Sequence, residues 1–251
     1  MSKFRNRSGE MNLEERMKQN YEHTYRIQLP KRMPVILRLD GKAFHTFTRH
    51  MNKPFDTDLI LLMQDVTKHL LENIQNAVLG YTQSDEISIL LMNYSKFTTE
   101  SWFDNTLQKM VSISAAMASA FATLEYNRGY IYTDEPESVR LVHFDSRAFV
   151  LPEAEVNNYF ISRQNDCQRN FIQMVGQSIY SHKSLQNLSC QQIIDKIELD
   201  EEEEKKYKDY SFTEKNGSVF LKCGAPVEWR IIEHIFKKDS SIVNQLLIPE
   251  E

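Results

Sequence analysis

The hydrophobic and polar positions of the chain predict one buried strand that ends in a polar turn near residue 40. Residues 34–39 form a largely aliphatic run that Pro34 opens, and such a run is typical of a strand inside a sheet. Asp40 and Gly41 end the run. Asp-Gly is a common turn, but a carboxylate at the end of a core strand needs a cation, a hydrogen-bond network or water. Asp40 is therefore a candidate functional residue.

A second apolar pattern, over residues 78–92, predicts two short strands joined at Gln83-Ser84-Asp85-Glu86. A charged hairpin tip is normally only solvated. Here an acid-ended strand elsewhere in the chain can pair with it, so folding can bring Asp85 and Glu86 beside Asp40. Carboxylate oxygens are ligands of hard divalent cations such as Mg²⁺, which otherwise keeps water or phosphate oxygens.

The remaining segments show mainly helical spacing of apolar residues. Helices are predicted over residues 13–25, from Asp56 or Thr57 to 74, over 99–126 and over 152–180, and a further helical piece lies in the charged stretch 189–210. Residues 127–138 are predicted to be a loop, and 139–143 and 147–150 a strand, a turn and a short continuation. Asn216-Gly217 predicts a hairpin turn within residues 212–222.

The order strand, helix, hairpin, helix, strand predicts an α+β, ferredoxin-like β-α-β-β-α-β unit. Such a unit places its helices on one face of an antiparallel sheet and leaves the other face or an edge for a ligand. It also puts the end of the first strand beside the hairpin tip. We expect residues 1–150 to form an N-terminal helix and this catalytic core, and residues 151–251 a helical and hairpin extension packed on it as one compact unit.

Composition narrows the class of protein. The chain has 251 residues, 41% of them hydrophobic, but no apolar run of the roughly 18 residues that predict a membrane span, and no secretory signal is expected. Cys167, Cys190 and Cys223 are far apart, which favours a reducing compartment such as the cytoplasm and argues against a structural zinc site. The net charge of −5 does not favour a nucleic-acid binder, although basic residues concentrate in 31–53 and acids in 200–204.

Missing motifs exclude several chemistries. The seven glycines form neither a P-loop nor a Rossmann turn, and neither a nucleophile elbow nor a zinc-protease signature is present. Metal-assisted phosphoryl transfer remains, in which two cations about 4 Å apart bridge the attacking and leaving oxygens.

Three sequence blocks resemble one known family in order and spacing. They are Arg38-Leu-Asp-Gly-Lys-Ala-Phe-His45, Lys53-Pro-Phe-Asp56 and Gln83-Ser-Asp-Glu86. They are similar to the tRNA-His guanylyltransferase family and its guanylyltransferase-like branch, from about residue 33 to 179 with a weaker tail. The resemblance implies the palm fold that polymerases and nucleotidyl cyclases share. It also implies activation of a tRNA 5′ end with ATP and growth of the strand from 3′ to 5′.

The resemblance also assigns residues to roles. Asp40, Asp85 and Glu86 would be catalytic, and Asp40, Asp85 and the Gly41 carbonyl would hold two Mg²⁺ ions. The residues expected to bind the nucleoside triphosphate, ATP or GTP, are Arg38, Gly41, Lys42, Ala43, Phe44, His45, Lys53, Asp56, Ser84 and Arg147. Among them Arg38, Lys53 and Arg147 match positions that contact phosphate, and Lys196 is a weaker candidate for that role.

Two departures from the family pattern favour the guanylyltransferase-like branch, which acts in template-dependent repair of truncated tRNAs. Phe55 stands where many members have Asn, and residues 168–172 replace a His-Ile-Asn-Asn-Leu-Tyr-type stretch. A homotetramer is expected by the same resemblance. The alternatives are strict addition of G to tRNA-His, a nucleotidyl cyclase, whose Gly-Gly-Asp-Glu/Phe signature is absent, and a non-catalytic tRNA- or nucleotide-binding module. Three neighbouring acids argue against the last, because an anion binder gains nothing from them.

Overall fold

The computed structural model describes residues 11–128, 139–202, 205–223, 228–232, 236–237 and 241–248. The strands in this part are β1 (Pro34–Gly41), β2 (Ala77–Gln83), β3 (Glu86–Met92), β4 (Phe144–Val150), β5 (Ser218–Cys223) and β6 (Glu228–Ile232). The α-helices there are α1 (Leu13–Met17), α2 (Phe44–Phe47), α3 (Thr57–Asn73), α4 (Leu107–Tyr126), α5 (Glu153–Ile179), α6 (His182–Leu185), α7 (Cys190–Leu199), α8 (Phe212–Asn216) and α9 (Ser241–Leu246). None of the described helices is long and apolar enough to cross a membrane.

The six strands form one antiparallel sheet in the order β4-β1-β3-β2-β5-β6. Strands β1 to β4, with α3 and α4 between them, form the predicted β-α-β-β-α-β unit, and its order 4-1-3-2 confirms the ferredoxin-like fold. Strands β5 and β6 extend the sheet beyond β2. Because β1 lies between β3 and β4, its end at Asp40 is enclosed by both neighbours.

Helices cover both faces of this sheet. Helices α3 and α4 pack over Val35, Leu37 and Leu39 on one face, while Val156 and Phe160 of α5 pack on the other. Of the two places expected for a ligand, the other face or an edge of the unit, the face is therefore covered. The physical reason is that the strands are apolar on both sides, and an apolar face that is left uncovered costs free energy. The ends of the strands remain for a site.

Most helix boundaries follow the predicted pattern. Helix α3 begins after Asp56, whose carboxylate accepts hydrogen bonds from the backbone N–H groups of Asp58 and Leu59, both at 3.1 Å, and α5 fills the predicted range 152–180. The predicted helix over residues 13–25 is helical but irregular. Helix α1 continues into a π-helical turn and a 3₁₀ turn, and none of the residues in these three pieces is buried.

The helix predicted from Thr99 begins instead at Leu107. Residues Phe103, Asp104 and Asn105 have φ values of 52°, 52° and 55°, which no right-handed helix accommodates. The Asn105 side chain is buried and donates a hydrogen bond to the Pro30 carbonyl at 2.9 Å. This long-range contact outweighs the local helical pattern.

The prediction of a strand at 139–143 was also wrong, because β4 runs without a turn from Phe144 to Val150. The N–H groups of Arg140 and Val142 donate to the side chains of Asn127, at 2.9 Å, and Thr123, at 3.0 Å. They are thus bound by the end of α4 rather than by a neighbouring strand. The predicted loop at 127–138 lies outside the described residues from position 129 onward.

The Asn216-Gly217 pair ends a helix rather than turning a hairpin. The Ser211 hydroxyl and the Glu214 carboxylate form a reciprocal capping box that starts α8, and Gly217, with φ of 78°, terminates it. A Cβ at Gly217 would lie 2.5 Å from the Thr82 carbonyl oxygen. The chain then enters β5, which pairs with β2.

Candidate active site

The pairing of β1 with β3 brings the predicted acids together at one end of the sheet. Asp40 lies directly opposite Glu86 in the strand register, and the Gly41 N–H donates to the Asp85 carbonyl at 3.0 Å. Ser84 turns the hairpin with φ of 51°. Asp40 is therefore a neighbour of Asp85 and Glu86 in the fold, although more than forty positions separate it from them in the sequence.

Asp85 is a half-buried acid with no cation beside it in the described part of the chain. Its carboxylate accepts a hydrogen bond from the Ser84 hydroxyl at 3.2 Å. Burial, and to a lesser degree the negative charge of Asp40, raises the pKa of the Asp85 carboxyl. A carboxylate in these surroundings favours a proton or a bound cation.

Asp40 is only partly neutralised. Arg147 Nη2 lies 3.1 Å from its Oδ2 and Arg38 Nη2 lies 3.4 Å from its Oδ1. The Oδ2 atom is buried and makes no hydrogen bond of good geometry. A buried oxygen of this kind, with the carboxylate of Asp85 nearby, suits a hard divalent cation.

The oxygen atoms of Asp40, Asp85 and Gly41 suit Mg²⁺ better than they suit a metal ion whose ligands are all protein side chains. Within the described ranges, no group of three or more His, Cys, Asp or Glu residues is placed to hold a metal ion. Magnesium needs one or two protein carboxylates and completes its shell with water and phosphate oxygens. Asp40, Asp85 and the Gly41 carbonyl match that requirement.

Unlike the two aspartates, Glu86 is a buried residue, and it forms ion pairs with two arginines. Its Oε2 lies 2.7 Å from Arg38 Nη2 and 3.2 Å from Arg163 Nη1. Burial raises the pKa of the Glu86 carboxyl even though both guanidinium groups act in the opposite direction. The sequence did not indicate Arg163, because nothing in the spacing of α5 shows that this position faces the hairpin.

The connection from β1 to α3 is shaped by close packing. A Cβ at Gly41 would lie 2.2 Å from the ring of Phe44, so glycine is required at this position. Phe44 is buried against Phe47 and Phe144, with ring centroids 5.1 and 5.4 Å apart, and Ala43 before it has φ of 57°. This packing fixes the backbone that follows the acids.

A cavity of about 350 Å³ opens beside Asp85, within the size range of small-molecule sites. Six predicted site residues line it: Phe44, His45, Lys53, Asp56, Ser84 and Asp85. The other predicted residues do not line it: Arg38, Asp40, Gly41, Lys42, Ala43, Glu86 and Arg147. Lys196 is also absent from the cavity wall and instead places its ammonium 4.2 Å from the ring centroid of Tyr180.

Asp56 contributes a fixed carboxylate to the cavity wall. Burial acts to raise its pKa, but hydrogen bonds from the N–H groups of Asn52, Leu59 and Asp58 outweigh burial and lower the pKa of Asp56. Lys53 donates to the Thr48 carbonyl at 3.3 Å. Hydrogen bonds to the backbone therefore fix the positions of both side chains in the cavity wall.

Another part of the cavity wall comes from the C-terminal part of the chain. Sequence reasoning did not assign its residues: Cys167, Asn170, Phe171, Met174, Thr213, Glu214, Gly217 and Ser218. Phe55 stacks on Phe171 with centroids 5.4 Å apart and the rings nearly parallel. The two stretches that depart from the family pattern thus touch each other at the cavity.

The profile of one protein family, Thg1, described as tRNAHis guanylyltransferase, matches residues 14–152, more than half of the chain. The chain belongs to the tRNAHis guanylyltransferase family. The resemblance seen in the three sequence blocks is thereby confirmed.

Solved structures of this family are similar along nearly the whole chain. A bacterial Thg1-like protein in complex with ATP is 43% identical, with a TM-score of 0.85, covering 94% of this chain and 99% of that one. A bacterial Thg1-like protein in complex with GTP is 39% identical, with a TM-score of 0.77 and the same coverage. A probable tRNA(His) guanylyltransferase of Bos taurus is 26% identical over 213 residues, 82% of this chain and 67% of the bovine protein.

Proposed function

We propose that this protein is a tRNA 5′-end nucleotidyltransferase that repairs truncated tRNAs by template-dependent addition in the 3′-to-5′ direction. The observation that carries the proposal is the meeting of Asp40 and Asp85 beside a nucleotide-sized cavity. The binding of ATP and of GTP by the similar bacterial proteins supports nucleoside triphosphates as substrates.

Asp40, Asp85 and the Gly41 carbonyl would hold Mg²⁺, which, when bound, would neutralise charge that develops on phosphate oxygens. In the first step an oxygen of the tRNA 5′-monophosphate attacks the α-phosphorus of ATP, and pyrophosphate leaves. In the second step the 3′-hydroxyl of an incoming nucleotide loses its proton and attacks the activated 5′ phosphorus, and AMP leaves. The new 5′ end carries the triphosphate of that nucleotide.

The surrounding side chains orient these groups. Lys53 lines the cavity and Arg38 and Arg147 stand beside Asp40, so three cations lie near the acids and the cavity, where they would contact phosphate oxygens. Because the cavity wall is largely apolar and aromatic, we assign it to the nucleoside. Asp56, which backbone N–H groups hold in place, also lines this wall.

The contact between Phe55 and Phe171 supports the repair branch rather than strict addition of G. Both residues belong to stretches that depart from the guanylyltransferase pattern, and they stack on each other in the cavity wall. A rigid apolar surface offers stacking to any base and no hydrogen bonds that select guanine. Selection by a template base in the tRNA is then required.

The deciding experiment supplies full-length tRNAs and tRNAs that lack the first nucleotide, with Mg²⁺, ATP and each nucleoside triphosphate in turn. We expect the truncated tRNAs to lengthen by the nucleotide complementary to the opposing base of the acceptor stem. Addition of G to tRNA-His alone, whatever the opposing base, would contradict the repair reaction and support strict guanylyltransfer.

Replacement of Asp85 tests the carboxylate centre. We expect Asp85→Ala to abolish nucleotide addition, because one of two metal-holding carboxylates is lost, while tRNA binding stays within about twofold of wild type. Addition is followed with a labelled truncated tRNA and binding by fluorescence anisotropy. Asp145→Ala is the matched control, since Asp145 is an exposed acid at the same end of the sheet, 3.6 Å from Arg147; it should retain activity. Full activity of Asp85→Ala would disprove the assignment.

A further inference from the structure

A group of exposed cationic and imidazole side chains lies next to the acids and does not line the cavity. We call it the basic face; its members are Lys42, Arg49, His50, Arg140 and His143. The Lys42 N–H donates to the His143 carbonyl at 2.8 Å, one position beyond the pairing of Gly41 with Phe144. The basic face therefore begins at the residue that follows the metal-holding segment.

Arg140 and His50 form the defined centre of the basic face. Arg140 Nη1 lies 2.7 Å from His50 Nδ1, and His50 Nε2 lies 2.9 Å from the Tyr126 hydroxyl. The same guanidinium nitrogen also lies 3.1 Å from His50 Nε2. The imidazole ring thus positions the Arg140 side chain without placing a carboxylate against it.

The backbone of Arg140 lies outside every described strand, but hydrogen bonds with a buried side chain fix its position. The buried side chain of Asn127 accepts from the Arg140 N–H at 2.9 Å and donates to the Arg140 carbonyl at 2.7 Å. A third hydrogen bond, which the Asn127 side chain donates to the Thr123 carbonyl at 2.7 Å, fixes that amide to α4. A buried side chain thus positions a residue whose own side chain is exposed.

No member of the basic face forms an ion pair within the described residues, whereas many other cations there do. Arg128 pairs with Glu125 at 3.2 Å, Lys31 pairs with Asp104 at 2.6 Å, and Arg169 pairs with Asp166. The whole chain carries a net charge of −5. A basic region without ion pairs among the described residues of an acidic protein is a candidate site for a polyanion.

We infer that the basic face binds the phosphate backbone of the RNA substrate, with Arg140 as a pre-positioned phosphate contact that guides the 5′ end toward Asp40 and Asp85. The inference rests on the proposed function, which supplies the RNA. The carboxylates repel a polyanion, so cations one residue away offset that repulsion. The planar guanidinium forks onto phosphate oxygens without reading the base, which suits an enzyme that acts on several tRNAs.

The test measures binding of a truncated tRNA, labelled at its 3′ end, to the full chain at several salt concentrations by fluorescence anisotropy. We expect Arg140→Gln to weaken binding roughly five- to tenfold and to reduce the slope of log affinity against log salt by about one. Arg140→Lys keeps the charge and should keep the slope. Arg128→Gln, a neighbouring exposed arginine already paired with Glu125, should bind like wild type.

Binding of ATP to the same variants provides a second readout, and it should not change, because Arg140 does not line the cavity. Wild-type affinity and slope in Arg140→Gln would overturn the inference. An equal loss in Arg128→Gln would overturn it too, since the effect would then be one of overall charge. A wild-type protein that binds anionic phospholipid vesicles but no tRNA would also overturn it.

The same samples, assayed for nucleotide addition, separate this inference from the proposed function. If Arg140→Gln loses tRNA affinity while the wild-type protein binds tRNA but adds no nucleotide, the proposed function fails and the phosphate contact stands. If the wild-type protein adds nucleotides and Arg140→Gln binds tRNA normally, only the phosphate contact fails.

Discussion

Neighbouring residues of the hairpin, Asp85 and Glu86, have opposite electrostatic surroundings. Glu86 is matched by two guanidinium groups, whereas Asp85 has the Ser84 hydroxyl and the charge of Asp40 beside it and no cation among the described residues. The charge of Glu86 is thus satisfied within the protein, and that of Asp85 is not. Asp85 is accordingly the acid that remains available to a cation, and Glu86 belongs to the frame that holds the hairpin.

Cys167 provides a prediction at the residue scale. It lies on the cavity wall, and burial raises the pKa of its thiol to about 12. Because only the thiolate reacts, we expect iodoacetamide at pH 8 to modify Cys190, which is half-buried, much faster than Cys167 in the folded protein. Peptide mapping by mass spectrometry measures both rates. Equal rates in the native protein, as expected only after denaturation, would show that Cys167 is not shielded.

The sequence predicted the acids of the site but not most of the cavity wall. Asp40 and Asp85 were found because each interrupts an apolar strand, a signal contained in a few neighbouring positions. Asn170 and Thr213, by contrast, are ordinary polar residues of α5 and the α8 segment. Only the packing of those helices against the hairpin brings them to the cavity, and no local pattern encodes that packing.

Helix α5 is the element that connects the C-terminal part of the chain to the acidic end of the sheet. Tyr159 bonds to Ser88 through their hydroxyls at 2.8 Å, and Arg163 reaches Glu86 one turn later. Phe171 then lines the cavity. One helix thus contacts β3, the ion-pair network and the nucleotide-sized cavity in succession.

Replacement of Arg163 tests this connection. The side chains of Arg163 and Glu86 are only 19% and 7% exposed, so Arg163→Met leaves a buried carboxylate paired with Arg38 alone. We expect a loss of about 1–3 kcal/mol in the free energy of unfolding, less than for a buried charge left fully unpaired. Urea unfolding measures it.

Arg169→Met is the matched control, because Arg169 is exposed and pairs with Asp166 on the same helix; we expect a change within about 0.5 kcal/mol. Adding Glu86→Gln to Arg163→Met removes the uncompensated charge, so the double variant should be more stable than the sum of the single changes predicts. Simple additivity would show that the two side chains do not interact.

Elements with long regular periodicity were predicted well, and those decided by one residue were not. Helices α3 and α5 have many apolar positions that agree with each other. The start of α4 depends on buried Asn105, and the end of α8 on Gly217. Asn105 donates a hydrogen bond to Pro30, about 75 positions away, and Gly217 packs closely against Thr82, about 135 positions away. A local sequence pattern does not include contacts over such separations.

At the scale of the whole molecule, helices cover both faces of the sheet. The N-terminal helical segment, residues 13–25, and the residues directly after it are not covered in this way by other described residues. Its apolar side chains are largely exposed: Leu13 by 65%, Tyr21 by 60%, Tyr25 by 71% and Ile27 by 58%. Exposed apolar residues of this kind are candidates for an interface with another protein chain. The tetramer that the family resemblance implies remains a prediction, and this segment is the surface that we expect it to use.

We expect light scattering coupled to size exclusion to give a mass near four times the 29.6 kDa of one chain. The double variant Tyr21→Ser/Tyr25→Ser removes two exposed rings and should shift the mass toward that of smaller assemblies. Leu199→Ser, which changes an exposed leucine of α7, is the control and should not. A wild-type mass of one chain would contradict the tetramer.

The central position of β1 has a consequence for the order in which a newly synthesised chain can mature. Its two neighbours are β3 and β4, and β4 begins about a hundred residues after β1 ends. At roughly 5 to 20 residues each second, the ribosome needs at least about 5 seconds to make that interval. Until then one edge of β1 has no partner, and Arg147 has not yet been added to stand beside Asp40. We therefore expect a nascent chain to complete its acidic centre late and to act on RNA only after that point in translation.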